Sequence, residues 1–192
     1  MDGANCLACM PDLDLLLGRT PELAAAWSHL PRRALRKRQQ LVRIGQSVSQ
    51  VWRVERGLLR MYYLSPQGVE RNRSFHAERH WVGAGAPPLA ADSPYVIEAL
   101  ENSTVVELRY GLLQAFTAQH PELLATLQNA LGAIFEHQNQ RVSELLTLDA
   151  AGRYQAFLEF YGAMAQRLPL HHVASYLGIT NVALSRIRRR GK

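Results

Sequence analysis

The sequence predicts an α+β chain: an antiparallel β-barrel or roll, then a long helix, then a C-terminal helix-turn-helix. Three observations carry this. Strand-sized apolar runs broken by Gly, Pro, Asn and Ser fill residues 35 to 108. From Pro121 to about Leu146 apolar residues recur at spacings of three and four. The segment LPLHHVASYLGITNVALSRIRRR, starting at Leu168, suits two short helices joined by a tight turn. With 192 residues, 47% of them hydrophobic and 20% charged, the chain suits one large or two small globular domains and is no disordered tail.

Residues 12 to 30 read as short helical material, with Leu13, Leu16 and Leu17 before a helix start at Pro21, then Leu23, Ala26, Trp27 and Leu30. The strand runs that follow are VSQVWRV, LLRMYYL, VERNRSF, YVIEAL and TVVEL, separated by Gly57, the SPQG turn at 65 to 68 and an ENS turn. In LLRMYYL, period 2 predicts Leu59, Met61 and Tyr63 on one face and Arg60 and Tyr62 on the other. Many short strands with turns between them indicate an antiparallel barrel or roll rather than a parallel sheet. The stretch 81 to 94, WVGAGAPPLAADSP, holds too much Gly and Pro for a strand interior and reads as a loop.

On the long helix, Leu124, Leu131, Phe135, Val142 and Leu145, with Gln128 and Gln138 between them, form a heptad-like seam. Such a seam serves either the chain's own core or a partner helix. Its two glutamines favour the partner, because Gln side chains pair across a symmetric interface. Leu124, Leu131, Phe135, Gln138, Val142 and Leu145 are therefore the expected dimerisation residues.

In the C-terminal segment, small Ala174 sits where the two helices cross, Gly178 where the turn needs positive φ, and Thr180 where the second helix needs an N-cap. Val173, Leu177, Ile179, Leu184 and Ile187 are the expected buried contacts. The second helix then presents Asn181, Val182, Ser185, Arg186 and Arg189 outward, a face that can read sequence because Asn pairs with adenine and Arg with guanine. Arg188, Arg190 and Lys192 suit phosphates. Charge agrees. The formal net charge is +6; residues 169 to 192 contain five Lys and Arg and no acid, and residues 31 to 45 hold Arg32, Arg33, Arg36, Lys37, Arg38 and Arg43, again without an acid. Such clusters suit a polyanion, of which duplex DNA is the commonest.

The order of these parts resembles the Crp/Fnr transcription regulators over essentially the whole chain. GLLRMYYLSPQG at Gly57 to Gly68 and SPYVIEALENSTVVEL at Ser93 to Leu108 look like the family's effector-sensing roll, which is cyclic-nucleotide-binding-domain-like and cupin-like. AQHPELLATLQ, from Ala118, resembles the entry to its dimerisation helix, and VASYLGITNVALSRIRRR its recognition unit. The resemblance implies a sensor domain over 1–120, a dimerisation helix over 121–147 and a DNA-binding domain over 148–192. It implies a homodimeric, sequence-specific regulator that binds double-stranded DNA through Thr180, Asn181, Val182, Ser185, Arg186, Arg188, Arg189 and Arg190.

The departures are specific. Where cyclic-AMP-binding relatives carry an acid and an Arg, this chain reads GAGAPPL and SPY, so no cyclic nucleotide is expected and the effector stays unknown. Few residues follow Arg190, which predicts a reduced or absent β-hairpin wing. Asn181 stands where many relatives have Glu or Arg, so the operator sequence is not inherited from them.

Two alternatives stand beside this reading. Cys6 and Cys9 form a CxxC, too few thiolates for a cluster or zinc without further ligands; a redox switch is the alternative, and an inert N-terminal tail the plainer reading. His76, Glu78 and His80 alternate in SFHAERHWV and on a strand would share a face, as in a metal-dependent cupin-like enzyme; solvated strand-end side chains are the plainer reading. His137, His171 and His172 read as polar surface residues. No catalytic residue, metal or cofactor is assigned. No run of 18 apolar residues is present and the N-terminus lacks a basic start before its apolar run, so no membrane span or secretory signal is expected and the cytoplasm is the expected compartment.

Overall fold

A computed structural model describes residues 11–84 and 89–190. Helices α1 (Pro11–Arg19) and α2 (Pro21–Ser28) precede ten strands: β1 (Arg32–Leu35), β2 (Gln40–Val42), β3 (Ser47–Val48), β4 (Gln50–Arg56), β5 (Leu59–Leu64), β6 (Glu70–His76), β7 (Trp81–Gly83), β8 (Ala91–Asp92), β9 (Val96–Ala99) and β10 (Ser103–Arg109). Helices α3 (Tyr110–Gln119), α4 (Pro121–Thr147), α5 (Ala150–Tyr161), a 3-10 stretch (Gly162–Arg167), α6 (Leu170–Leu177) and α7 (Asn181–Arg190) follow.

The strands form two four-stranded antiparallel sheets, ordered β1-β10-β4-β7 and β2-β9-β5-β6, with a two-stranded β3-β8 ribbon. Leu35, Val42, Trp52, Met61, Ile97 and Val105 fill the roll between them. Side chains of this size each stabilise the fold by about 1.5–3 kcal/mol when removed from water. Gly57 is required where it stands: its φ is +106° and a Cβ would lie 2.2 Å from Ser103 Oγ.

Three expectations are corrected by the packing. Within 81 to 94, Trp81–Gly83 is a strand paired with β4, and Ala91–Asp92 pairs with β3. Glycine helps rather than hinders at position 83, because a Cβ there would already press to 3.0 Å from Val51 Cγ1. Residues 85–88 of the same stretch lie outside the described residues.

Alternation along β5 fails as well. Leu59 to Tyr62 are all buried and Tyr63 is exposed. A bulge against β6 leaves Arg73 as an extra residue between the Met61↔Ser74 and Tyr62↔Asn72 pairs, and helix α6 covers the outer face of the sheet at Arg60.

Finally, the histidine strand ends early. β6 stops at His76 and Arg79 takes φ +72°, so Glu78 and His80 lie on a turn rather than on one strand face. His76 and His80 are buried, not solvated.

A second apolar cluster joins the roll to the C-terminal helices. Phe75 lies 5.5 Å from the Tyr161 ring, 5.8 Å from Tyr176 and 6.4 Å from Phe157, and Leu58 and Leu100 complete the junction. Helices α1 and α2 pack Leu13 and Trp27 against α4 and β7. Among the described residues no helix is long and apolar enough to cross a membrane.

Candidate nucleic-acid interface

The interface is built on α6, a turn and α7. Gly178 ends α6 at φ +71°, and the turn is closed by the Ile179 N–H donating to the Ala174 carbonyl at 3.0 Å. Thr180 caps α7 by accepting a hydrogen bond from the Ala183 N–H at 3.2 Å. Val173, Ala174, Leu177 and Leu184 are buried, and Ile179 and Ile187 are half-buried. Thr180, Asn181, Val182, Ser185, Arg186, Arg188, Arg189 and Arg190 are all exposed. None of the four arginines forms an ion pair among the described residues, and no acid lies on α6 or α7. The outward face of α7 is therefore a cationic strip with an amide and a hydroxyl near its N-terminal end, the donor set that reads base edges and grips phosphates.

The carbonyl groups left unpaired at the end of α6 are met from other helices. Arg141 of α4 donates to the Tyr176 carbonyl and lies 4.1 Å from that ring's centroid, and Arg153 of α5 donates to the Leu177 carbonyl at 3.1 Å. The long helix thus holds the end of α6 directly.

The other side of α6 clamps the roll. Ser175 Oγ accepts from the Asn72 N–H and donates to the Glu70 carbonyl, both at 3.1 Å, so it occupies the free edge of β6. Beneath it, buried Arg60 meets Glu98 at 2.9 Å and Glu70 at 2.6 Å. His172 Nδ1 accepts from Arg60 Nη1 and Asn72 Nδ2, each at 3.3 Å. This network was invisible in the sequence, where His172 read as a surface residue; it is half-buried, because α6 lies on β6.

Acceptance from two donors requires a neutral His172 ring. Burial first, then the charges of Arg60 and His171, lower its pKa to about 4. An unfolded imidazole titrates near 6.5, so on acidification the unfolded chain takes the proton first. The stabilisation is whole above about pH 6.5 and is lost as pH falls towards 4. The melting temperature should fall across that window, and His172→Gln should flatten part of the fall; an unaltered profile in the variant would remove His172 as a contributor. His137 adds to the same fall, its pKa lowered to about 4 by burial and by Arg141 and Arg73.

Against α4 the roll leaves a cavity of about 190 Å³, lined mainly by apolar side chains that include Leu127, Ile134, Trp81 and Val82. Two buried polar atoms on its lining residues, His76 Nδ1 and Trp81 Nε1, have no hydrogen-bond partner among the described residues. Burial, with His80, Arg73 and His137 after it, pushes the His76 ring well below its usual pKa and keeps it neutral.

The set His76, Glu78 and His80 does not converge on a metal. Against the desolvation that burial imposes, Arg167 and the Gly57 N–H engage the Glu78 carboxylate at 2.7 and 2.8 Å and hold its pKa down to about 2. His76 Nε2 is shared with Ser74 at 2.9 Å. No group of three metal-ligating side chains occurs among the described residues. Cys6 and Cys9 lie outside the described residues.

Of the expected dimerisation residues, Leu124, Phe135, Val142 and Leu145 are exposed, Phe135 to 67%. Leu131 and Gln138 are half-buried and line the cavity. The adjacent stripe, Leu123, Leu127, Ala130, Ile134, His137 and Arg141, faces the chain's own body. Sequence reasoning missed Leu146, 80% exposed on the same helix; the helical period placed it off the seam.

No protein-family profile matches the chain. It is 24% identical over 167 residues to the anaerobic regulatory protein of Haemophilus influenzae, covering 81% of this chain and 65% of that one. To the transcriptional activator protein FnrA of Stutzerimonas stutzeri it is 26% identical over 166 residues, covering 81% and 68%. The chain thus spans 65% of the length of the first of these relatives. In fold it is similar to FixK2 from Bradyrhizobium japonicum, with a TM-score of 0.72 at 20% identity over 84% of this chain and 83% of that one. It is equally similar to the c-di-GMP-responsive regulator CLP of Xanthomonas campestris, with a TM-score of 0.72 at 16% identity over 88% and 90%.

Proposed function

We infer that this chain, which belongs in sequence and fold with the Crp/Fnr regulators, is a sequence-specific DNA-binding transcription regulator that acts as a homodimer. The carrying observation is the acid-free, exposed face of α7 on a capped and tightly turned helix-turn-helix. In this reading residues 148–192 read DNA, 121–147 pair two copies and 1–120 sense. Asn181, Val182, Ser185, Arg186 and Arg189 meet base edges; Thr180, Arg188 and Arg190 meet the backbone. A twofold pair must hold its recognition helices about 34 Å apart, one turn of duplex. Because Arg141 ties α4 to the end of α6, a small rotation of the long helix changes that separation.

The test is selection of bound fragments from genomic DNA with purified protein, followed by anisotropy titration on the selected site. Arg186→Ala should weaken binding by about 1–3 kcal/mol and relax preference at one base pair. Unchanged affinity and preference in that variant would unseat the recognition assignment.

The cavity supports a small-molecule effector. Its mainly apolar lining and the atoms of His76 and Trp81 left without a partner among the described residues call for a mainly apolar molecule with a hydrogen-bond acceptor for the indole N–H. Beside α4, such a ligand would act on the helix that sets the half-site spacing.

A further inference from the structure

The basic run between residues 31 and 45 plays no part in the helix-turn-helix, yet it folds into a defined surface. β1 and β2 are joined by a turn whose backbone N–H groups are all engaged. That of Arg36 donates to Gln39 Oε1 at 2.9 Å, that of Lys37 to Asn102 Oδ1 at 2.9 Å, that of Arg38 to the Ala99 carbonyl at 2.7 Å and that of Gln39 to the Arg36 carbonyl at 2.9 Å. The backbone is held while the side chains of Arg36, Lys37 and Arg38 stay exposed, with no ion pair among the described residues.

Arg38 stands at φ +68°, in the left-handed region where stability alone favours glycine. An arginine there costs stability and contributes only an exposed positive charge. Strain of this kind points to function.

Beside the turn lies a surface groove of about 340 Å³, lined by Arg36, Arg56, Gln39, Asn102 and Thr104 among others and by no carboxylate. The nearest acids in sequence are engaged elsewhere, Glu55 with Arg32 at 3.4 Å and Glu101 with Arg167 at 2.8 Å. Those contacts also place the groove. Arg167 closes the 3-10 stretch before α6, and its partner Glu101 adjoins Asn102, which holds the Lys37 backbone. The groove therefore opens at the end of the roll that abuts the helix-turn-helix.

We propose that this turn and groove grip the phosphates of duplex DNA flanking the site that α7 reads. Two guanidinium groups supply forks for phosphodiester oxygens, the amides and hydroxyl of the rim supply further donors, and a backbone contact needs no base readout. The proposal rests on the DNA-regulator reading and extends its footprint from the recognition helix to the sensor roll.

The test uses the full chain and two duplexes that carry the same selected site, one trimmed to it and one extended by about 10 base pairs, a helical turn, on each side. Affinities are measured over a series of salt concentrations. The wild type should bind the extended duplex more tightly and with a steeper salt dependence, by about 0.9 in slope for each added phosphate contact. The variant Arg36→Gln, Lys37→Gln, Arg38→Gly should lose that difference and keep its affinity for the trimmed duplex. Arg38→Gly alone should melt about 2–4 °C higher while weakening the extended complex, because strain is relieved as the charge is lost.

Equal affinity and slope for both duplexes in the wild type overturns the proposal and leaves the regulator reading intact; failure to bind either duplex overturns both. Saturable binding of inorganic pyrophosphate that the triple variant loses, with no preference for the extended duplex, assigns the groove to a small phosphorylated ligand and also overturns it.

Discussion

Replacing Phe135 and Leu145 together by aspartate should give a folded monomer whose affinity for a two-half-site operator is lower by about 10²- to 10⁴-fold, the range by which joining two binding modules exceeds one. Phe135 and Leu145 are 67% and 46% exposed, and with Val142 and Leu146 they form an apolar strip on a helix about 40 Å long. Exposed phenylalanine and leucine on one face mark a surface that excludes water against a partner. Aspartates on that face would have to be desolvated beside their symmetry mates, which is costly. Helix α4 itself should survive, because its other stripe, from Leu123 to Arg141, packs on the roll and on α6. Sedimentation analysis and a thermal melt check the two halves of the expectation. A variant that still sediments as a dimer would show that copies pair elsewhere.

The second large effect is at Arg60. Arg60→Ala should destabilise the fold by about 3–5 kcal/mol, the usual consequence of stripping the partner from a buried charge. Glu98 would be left 11% exposed in its side chain with, among the described residues, the Tyr62 hydroxyl at 3.5 Å as its remaining side-chain partner, and His172 would lose one of its two donors. Glu70, 44% exposed, can rehydrate and contributes less. Replacing both buried charges, as in Arg60→Met with Glu98→Gln, should recover part of the loss, since no unpaired ion then remains. Denaturant melts of the two variants give the comparison. A loss in Arg60→Ala below about 1 kcal/mol, the scale of an exposed ion pair, would mean that water reaches the network. Because this cluster joins β5, β6 and α6, hydrogen exchange in α6 should rise with the loss.

Much of the fold was legible because its determinants are local. The helix-turn-helix follows from one small residue at a crossing, one glycine at positive φ and one hydroxyl at a helix start, all within a few residues of one another. The long helix follows from its period and from Pro121, and the strands from apolar runs between turn residues. Where a property depends on residues far apart in the chain, the sequence reading failed. His172 reads as a polar surface residue until α6 is laid on β6, 100 positions earlier. Arg60 alternates as if toward solvent, yet an ion network and a helix cover it. His76, Glu78 and His80 have the spacing of a shared strand face, but the strand ends after the first of them and Arg167 captures the carboxylate.

Sequence by itself determined the helices, most of the strands and which segment carries the acid-free cationic face, because period, capping and charge act over a few residues. The tertiary structure alone decided which stripe of α4 turns inward, which edge of the roll α6 closes, and where the basic turn at Arg36 to Arg38 sits. Each of those outcomes depends on which surfaces meet, and a meeting of surfaces is set by packing between segments that share no local signal.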